Sequence, residues 1–392
     1  MKPNLALFAC PNPNCPREGV AHNCYAGADN YDVYNADDAR VMDVVAACRG
    51  LHLDNVMAGH VLVPSLAGTP YLPIVPSFSA RLFTNLVPRY VAVTLDELLD
   101  ASGSHARPNI RARLGIPTST KIIGLLYGDD PRLEIFWVNR EVVLAELAEQ
   151  GLAALVAANF SFWYNHPYLE HAINQKRSLI IYDLAHKLGI AAIPHFYWIP
   201  QDESNMNQIA QWINGRPSID LVAFNLQTLG DEQVWRQTLE ELRYLVGQLK
   251  RGPHLLITGP QTPERIRAVA EVTGPRLTIA GADAAQLALH YRVLEEQVQN
   301  STFSHYKKVY RGDRARCPAG QVSLFSSASP TQTDPGELFA KSIHNYEAIV
   351  SRSIAGTLTE QQWPSVLAQV KKISIKPIKR FVAPPKKTPR IS

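Results

Sequence analysis

The apolar positions of this chain fall into a repeating unit: a short β-branched or apolar run, a polar loop, then a stretch of helical period. Runs of strand type begin at Val56 (VMAGHVLVP), Tyr90 (YVAVTL), Lys121 (KIIGLLYG), Leu152 (LAALVAANF), Ile190 (IAAIPHFYWI), Leu221 (LVAFNL), His254 (HLLITGP) and Leu277 (LTIAG). Successive starts lie 23 to 38 residues apart, the length of one strand plus one helix. Most runs are continuously apolar rather than alternating, as parallel strands covered on both faces are. Helices are predicted over Val138–Gln150, Leu169–Leu188, Asn205–Asn214, Glu232–Leu249, Pro263–Val272 and Ala284–Glu296. Gly151 and Gly189 stand where a left-handed glycine ends a helix, and Thr262 precedes Pro263 as an N-cap precedes the first helical position. Asp283 is placed to cap the last helix in the same way.

Alternating strand and helix imply a parallel sheet with right-handed crossovers. Eight units favour closure into a barrel, with an open doubly wound sheet as the rival. The expected fold class is α/β: a (β/α)₈ TIM-type barrel over residues 51–300, after an N-terminal extension with a Cys-rich loop (1–50). A basic-aromatic segment, a Ser/Thr/Pro-rich linker and helices near Glu337–Ile354 and Thr359–Val370 follow (301–370), then a disordered basic tail (371–392).

Chemistry on a barrel gathers at the C-terminal ends of the strands. Those ends carry Ser65, Asp96, Asp129, Asp130, Asn159, Ser161, His195, Tyr197, Asn225, Gln227, Thr258 and Asp283. Strand ends are also polar simply because loops begin there. Asp129 and Asp130 follow a glycine at the end of an apolar run; adjacent carboxylates can split their protonation states or hold a cation, and an ordinary turn before a helix fits equally. His195, beside Phe196, Tyr197 and Trp198, suits a general base or a packed core histidine. The catalytic candidates are therefore Asp129, Asp130 and His195. The substrate-binding candidates are Asn159, Ser161, Phe162, Trp163, Tyr197, Asn225, Gln227, Thr258 and Asp283. The aromatic and amide density of 159–168 suits stacking of a planar ring with hydrogen bonds to its edge, or a hydrophobic cap under a long loop.

Cys10, Cys15 and Cys24, with His22 between them, are candidate ligands for zinc or an iron–sulfur cluster. Their C-x₄-C-x₈-C spacing departs from the usual closer pairs, so free thiols are the alternative. Lys307, Lys308, Arg311, Arg314 and Arg316 interleave with aromatics and are candidate contacts to a DNA or RNA backbone. The formal charge of +4 resides in the tail: from Lys371 onward there are eight basic residues and no acidic one, leaving 31 basic against 35 acidic residues elsewhere. Five cysteines and the absence of a long apolar leader point to a reducing cytosol, and no apolar run is long enough to predict a membrane span. The chain has no P-loop, G-x-G-x-x-G, H-E-x-x-H or G-x-S-x-G motif, which lowers nucleotide hydrolysis, dinucleotide-dependent, zincin and serine-hydrolase readings.

The run Leu133-Glu134-Ile135-Phe136-Trp137, then Ala158-Asn159-Phe160-Ser161, Asn174-Gln175-Lys176-Arg177, Gly189-Ile190, Ile193-Pro194-His195 and Ile257-Thr258-Gly259, resembles domain-of-unknown-function family 4417 of bacteria and phages. The resemblance spans roughly a third of the chain. Asn159 stands where that family usually has Asp, which removes a carboxylate nucleophile at this point. The family implies a domain and a mobile-element setting rather than a reaction. A barrel mouth of carboxylates, amides and aromatics is also similar in layout to tRNA-guanine transglycosylase-type barrels, which exchange bases with aspartates; their Cys/His zinc site after the barrel has no counterpart here. The expectation is a barrel enzyme acting on a nucleobase or nucleic acid, by transglycosylase-like base modification. The alternatives are a non-catalytic nucleic-acid-binding protein of a mobile element and a barrel enzyme for a small metabolite.

Overall fold

The computed structural model describes residues 45–57, 61–77, 79–160, 168–227, 232–300, 303–311 and 334–356. It is an α/β structure with two parallel sheets flanked by helices. Strands β1 (Tyr71–Pro73), β2 (Tyr90–Thr94), β3 (Lys121–Leu125), β4 (Ala154–Val156), β5 (Ala192–Ile193), β6 (His195–Phe196), β7 (Leu221–Asn225), β8 (His254–Thr258) and β9 (Leu277–Gly281) are separated mostly by helices. These are α1 (Leu95–Leu98), α2 (Ile110–Leu114), α3 (Asp130–Ala148), α4 (Tyr168–Lys187), α5 (Glu203–Asn214), α6 (Glu232–Gln248), α7 (Pro263–Thr273) and α8 (Asp283–Leu289). One sheet runs β2-β3-β4-β5 and the other β1-β9-β8-β7-β6.

The two sheets meet at both ends. Ile74 forms a parallel bridge with Ala92, and the Val75 N–H donates to the Ala92 carbonyl at 2.9 Å, joining the β1 and β2 edges. At the other junction a single extended run serves both sheets. Its first half pairs with β4 and its second with β7, and Pro194 stands between them. Proline has no N–H to give a ladder, which interrupts the pairing there, yet its carbonyl still accepts from Ala223 at 2.9 Å.

Alternate residues of the strands divide between two buried layers. Leu72, Tyr90, Ala92, Ile123, Leu125, Ala154, Val156, Ile193, Leu221, Ala223, Leu256 and Ala280, drawn from both sheets, form one shared cluster. Their intervening neighbours (Val91, Val93, Ile122, Leu155, Val222, Phe224, Leu255, Ile257, Ile279) pack instead with helix residues such as Phe136, Leu144, Ile181 and Trp212. Burial on both faces is why these strands read as continuous apolar runs.

Three expectations are corrected. The first strand is Tyr71–Pro73, not a run from Val56: residues Leu53–Asn55 make a 3₁₀ turn, and 61–66 form an irregular strap. Leu66, with Val61 and Val63 against it, inserts into the shared cluster, so the strap is apolar without being a strand. The last helix ends at Leu289 rather than Glu296. Tyr291 takes a left-handed conformation (φ 53°), and β10 (Arg292–Asn300) and β11 (Phe303–Tyr310) form an antiparallel hairpin. Asp283 does not cap α8: the N-cap is Ala282, without a side-chain bond. By contrast the Arg265 N–H donates to the Thr262 hydroxyl at 3.4 Å, the expected cap.

Helix α9 (Pro335–Ile354) lies over the outer side of β1, which is followed only by a 3₁₀ turn, and against α7, α8 and β10. Tyr346 stacks on Tyr71 at 4.7 Å and Phe339 meets Phe83 edge-on at 6.0 Å. The segment before the strap is also anchored: Trp212 donates to the Leu53 carbonyl at 3.1 Å, Arg216 to that of Val56 at 2.9 Å, and the Lys176 ammonium to the His52 carbonyl and Asn55. No described helix is long and apolar enough to cross a membrane.

Candidate functional site at the strand C-termini

Four polar side chains from four strands converge on the C-terminal side of the shared cluster. Tyr127 continues the inward positions Ile123 and Leu125 of β3, and its ring belongs to the cluster. His195 continues Ala191 and Ile193 in the run through β5 and β6, and Asn225 and Thr258 end β7 and β8. The rings of Tyr127 and His195 lie 5.2 Å apart, nearly edge to face. Thr258 donates its hydroxyl to Asn225 Oδ1 at 2.9 Å, and the same oxygen accepts from the Gln227 N–H at 3.0 Å.

The hydroxyl of Tyr127 and both ring nitrogens of His195 are buried with no hydrogen-bond partner among the described residues. Thr258 lies beside the Tyr127 hydroxyl, close enough to lower its pKa slightly, but without well-formed hydrogen-bond geometry. Burial holds the His195 pKa down at about 3, so the ring is neutral throughout the physiological range, with one N–H donor and one bare acceptor. Burial likewise pushes the Tyr127 hydroxyl well above its usual value, keeping its proton. An unmet buried polar group costs about 1–3 kcal/mol, so three atoms of this kind in one place call for a further partner, an ordered water or a ligand.

Asp129 and Asp130 follow Tyr127 at the β3 exit, with Asp130 half-buried as the first residue of α3. Asp129 is exposed at the start of α3, makes no capping bond, and lies 3.7 Å from Arg132 Nη1. Arg132 also pairs with Asp96 and donates to the Asp100 carbonyl at 2.8 Å, so Asp96 and Asp129 belong to a surface network at the β3 end. Asn159 is half-buried, with its N–H on the Leu126 carbonyl at 3.0 Å. Tyr197 is buried, 6.0 Å from His195; its hydroxyl donates to the His171 carbonyl at 3.4 Å, and burial raises its pKa. Gln227 is exposed. Asp283 turns to the outer side, accepting from Lys308 Nζ at 2.6 Å and the Tyr346 hydroxyl at 3.0 Å.

Next to this cluster Arg177 forms a pillar. Its guanidinium lies 3.8 Å from the Phe160 ring centre and 4.8 Å from that of Trp137, and it grips Glu134 with two bonds of 2.9 and 2.7 Å. This ties α3, α4 and the exit of β4 together, by the planar stacking and fork geometry that lysine lacks. Gln175 adds a bond of 2.9 Å to the Tyr197 carbonyl. Burial lowers the Lys176 pKa to about 8 and raises that of the Cys48 thiol to about 11 despite the nearby Arg177 and Lys176 cations.

Of the candidate nucleic-acid contacts, Lys308 is held by Asp283 and Arg311 by Glu295 at 2.6 Å, while Lys307 is exposed on β11. Ser161, Phe162, Trp163, Arg314, Arg316, Cys10, Cys15, Cys24 and His22 lie outside the described residues, as do the predicted helix at 359–370 and the basic tail. Among the described residues no three His, Cys, Asp or Glu side chains gather as a metal site. Sequence reading passed over Tyr127, although its even spacing from Ile123 and Leu125 puts a polar tip on the inward face. Comparison with protein-family models and with curated proteins finds no match to this chain.

Proposed function

We propose that the two sheets close into one (β/α)₈ barrel and that the protein is an enzyme acting on an uncharged planar heterocycle, a nucleobase, at the C-terminal ends of the strands. Closure is supported by the cluster common to both sheets, by the Ile74–Ala92 bridge and by the run that pairs with β4 and β7 in turn. The observation that carries the functional reading is the unpartnered, buried trio of Tyr127 Oη and the two His195 nitrogens beside Thr258 and Asn225. A neutral imidazole and a protonated phenol offer donors and acceptors without charge, which suits the edge of a base better than a phosphate or carboxylate. Asn159, at the head of an aromatic run, stands at the same end of the strands. Asp129, exposed at the β3 exit, and Asp130, half-buried at the start of α3, are the carboxylates that a transglycosylase-like base exchange would draw on. The pairing of Lys308 and Arg311 with carboxylates favours the base itself, rather than a nucleic-acid backbone, as the recognised part.

Calorimetric titration with free purine and pyrimidine bases tests this reading. The native chain is expected to bind at least one of them, and Tyr127→Phe and His195→Gln each to weaken it about tenfold or more, the worth of one lost hydrogen bond to a buried partner. Asp129→Ala is expected to spare affinity while removing turnover. If no base binds, or if both inner variants bind as the native chain does, the pocket assignment fails.

A further inference from the structure

A second opening lies at the opposite, N-terminal ends of the strands. A cavity of about 330 Å³ is enclosed by the strap 61–66, by α4 and by the starts of β7 and β8. The strap is a built wall: the Val61 N–H donates to His186 Nδ1 at 3.4 Å, the Tyr90 hydroxyl donates to the Ser65 carbonyl at 3.3 Å, and Leu66 is sunk in the shared cluster. At about 30 Å³ per water the space equals roughly eleven waters, enough for a bicyclic ring. It lies at the lower edge of ordinary ligand pockets.

Its chemistry is specific. Thr278 spends its hydroxyl hydrogen on the Thr69 carbonyl at 2.6 Å, so toward His254 Nε2, 2.8 Å away, it can only accept. The hydrogen of His254 is thereby fixed on Nε2, and Nδ1 is left as an acceptor. Burial, aided by Arg276, lowers the His254 pKa to about 4, so this acceptor stays neutral. The other lining histidine, His186, uses Nδ1 on Val61 and Nε2 on the Ala192 carbonyl at 3.0 Å. Asp220, the one carboxylate among the described lining residues, is 89% exposed and paired with Arg251 at 3.3 Å. Tyr182, Ala192, Ile219 and Leu221 make up much of the remaining wall.

We infer that this cavity is a second binding site, for a small neutral aromatic carrying one N–H or O–H donor, of indole or phenol type, which it gives to His254 Nδ1. The cavity shares none of Tyr127, His195, Asn225 and Thr258 with the base-binding site. The test is calorimetric titration of the full chain with indole, phenol and 1-methylindole, the last having the same shape but no donor. Indole is expected to bind and 1-methylindole to bind at least about tenfold more weakly. His254→Phe is expected to lower indole affinity by a similar factor with an unchanged circular dichroism spectrum, and Ser218→Trp, at the exposed rim, to abolish binding of both indoles. Absence of binding by indole and phenol at millimolar concentration overturns the inference. So does equal affinity for the two indoles, or indole binding that survives Ser218→Trp. Should His254→Phe fail to fold, the two indoles on the native chain decide alone.

Discussion

A buried imidazole with neither nitrogen satisfied is tuned for one protonation state, and that has a thermodynamic consequence. The His195 pKa is depressed from the ordinary 6.5 to about 3, whereas the unfolded chain titrates at the ordinary value. The unfolded state therefore binds the extra proton first as pH falls. The stability that neutral His195 contributes is fully present above pH 6.5 and is lost progressively down to about pH 3. At pH 5 this amounts to about 2 kcal/mol, from about 1.4 kcal/mol for each unit below the unfolded pKa. Urea denaturation at pH 7 and pH 5 should show that loss, and His195→Gln should remove most of it; an unchanged pH slope in the variant would mean the acid sensitivity comes from other groups, His254 among them. At this scale sequence reading reached His195, Asn225 and Thr258, because each closes a recognisable apolar strand. It also singled out Asp129 and Asp130, since a glycine followed by two carboxylates is a conspicuous pattern, and it passed over Tyr127. The pairing of Arg132 with Asp96, which makes that corner a surface network, joins residues far apart in sequence.

Elements bring these side chains together only if the strand ends can approach closely, and Gly259 is where that approach is tightest. Its φ is +114°, and a Cβ there would overlap the Leu226 carbonyl carbon and stand 2.5 Å from the Gln227 nitrogen. Both atoms belong to the exit of β7, next to the Asn225–Thr258 bond. Gly259→Ala should therefore destabilise by more than about 2 kcal/mol, since backbone must move and the conformation is strained. Gly247→Ala, in exposed α6 with nothing within 4 Å, should stabilise by roughly 0.5–1 kcal/mol. Urea midpoints of the two variants check this pair, and equal shifts would show that the close approach carries no energetic weight. Seven of the eight predicted strand regions coincide with strands because two-sided burial writes itself into sequence as apolar runs. The exception, β1, is three residues long between Pro70 and Pro76 and gave no such run, while the strap at 61–66 mimicked one. The hairpin escaped for a different reason: β10 carries adjacent apolar positions, Val293 and Leu294, and charged residues compatible with a helix. It is held as a strand by tertiary bonds, Leu294 donating to the Ser342 hydroxyl at 3.4 Å and accepting from Asn345 at 2.6 Å.

Across the molecule, the segment after β9 completes the packing that the first unit lacks. Among the described residues no regular helix follows β1, and its outer face is covered by α9, arriving from far along the chain with Tyr346 on Tyr71. Asp283 ties this together, since its buried carboxylate receives both Lys308 of β11 and Tyr346 of α9. A role in this joint and a role in substrate binding make opposite predictions. Asp283→Ala strands the Tyr346 hydroxyl and should cost about 1–3 kcal/mol, while Tyr346→Phe alone should cost about 1 kcal/mol. If the carboxylate and hydroxyl act as a pair, the double variant should lose less than the sum, with a coupling of about 0.5 kcal/mol or more. Base affinity in Asp283→Ala should match the native chain once both are measured where they are fully folded, because the carboxylate faces α9 and not the Tyr127–His195 cluster. Additive losses would dissolve the joint, and a fall in base affinity without a fall in stability would return Asp283 to the binding site. Which result appears depends on the side of β9 to which its exit points, and the stacking of Tyr71 on Tyr346, with the Tyr71 hydroxyl donating to the Gly281 carbonyl at 2.8 Å, directs it outward.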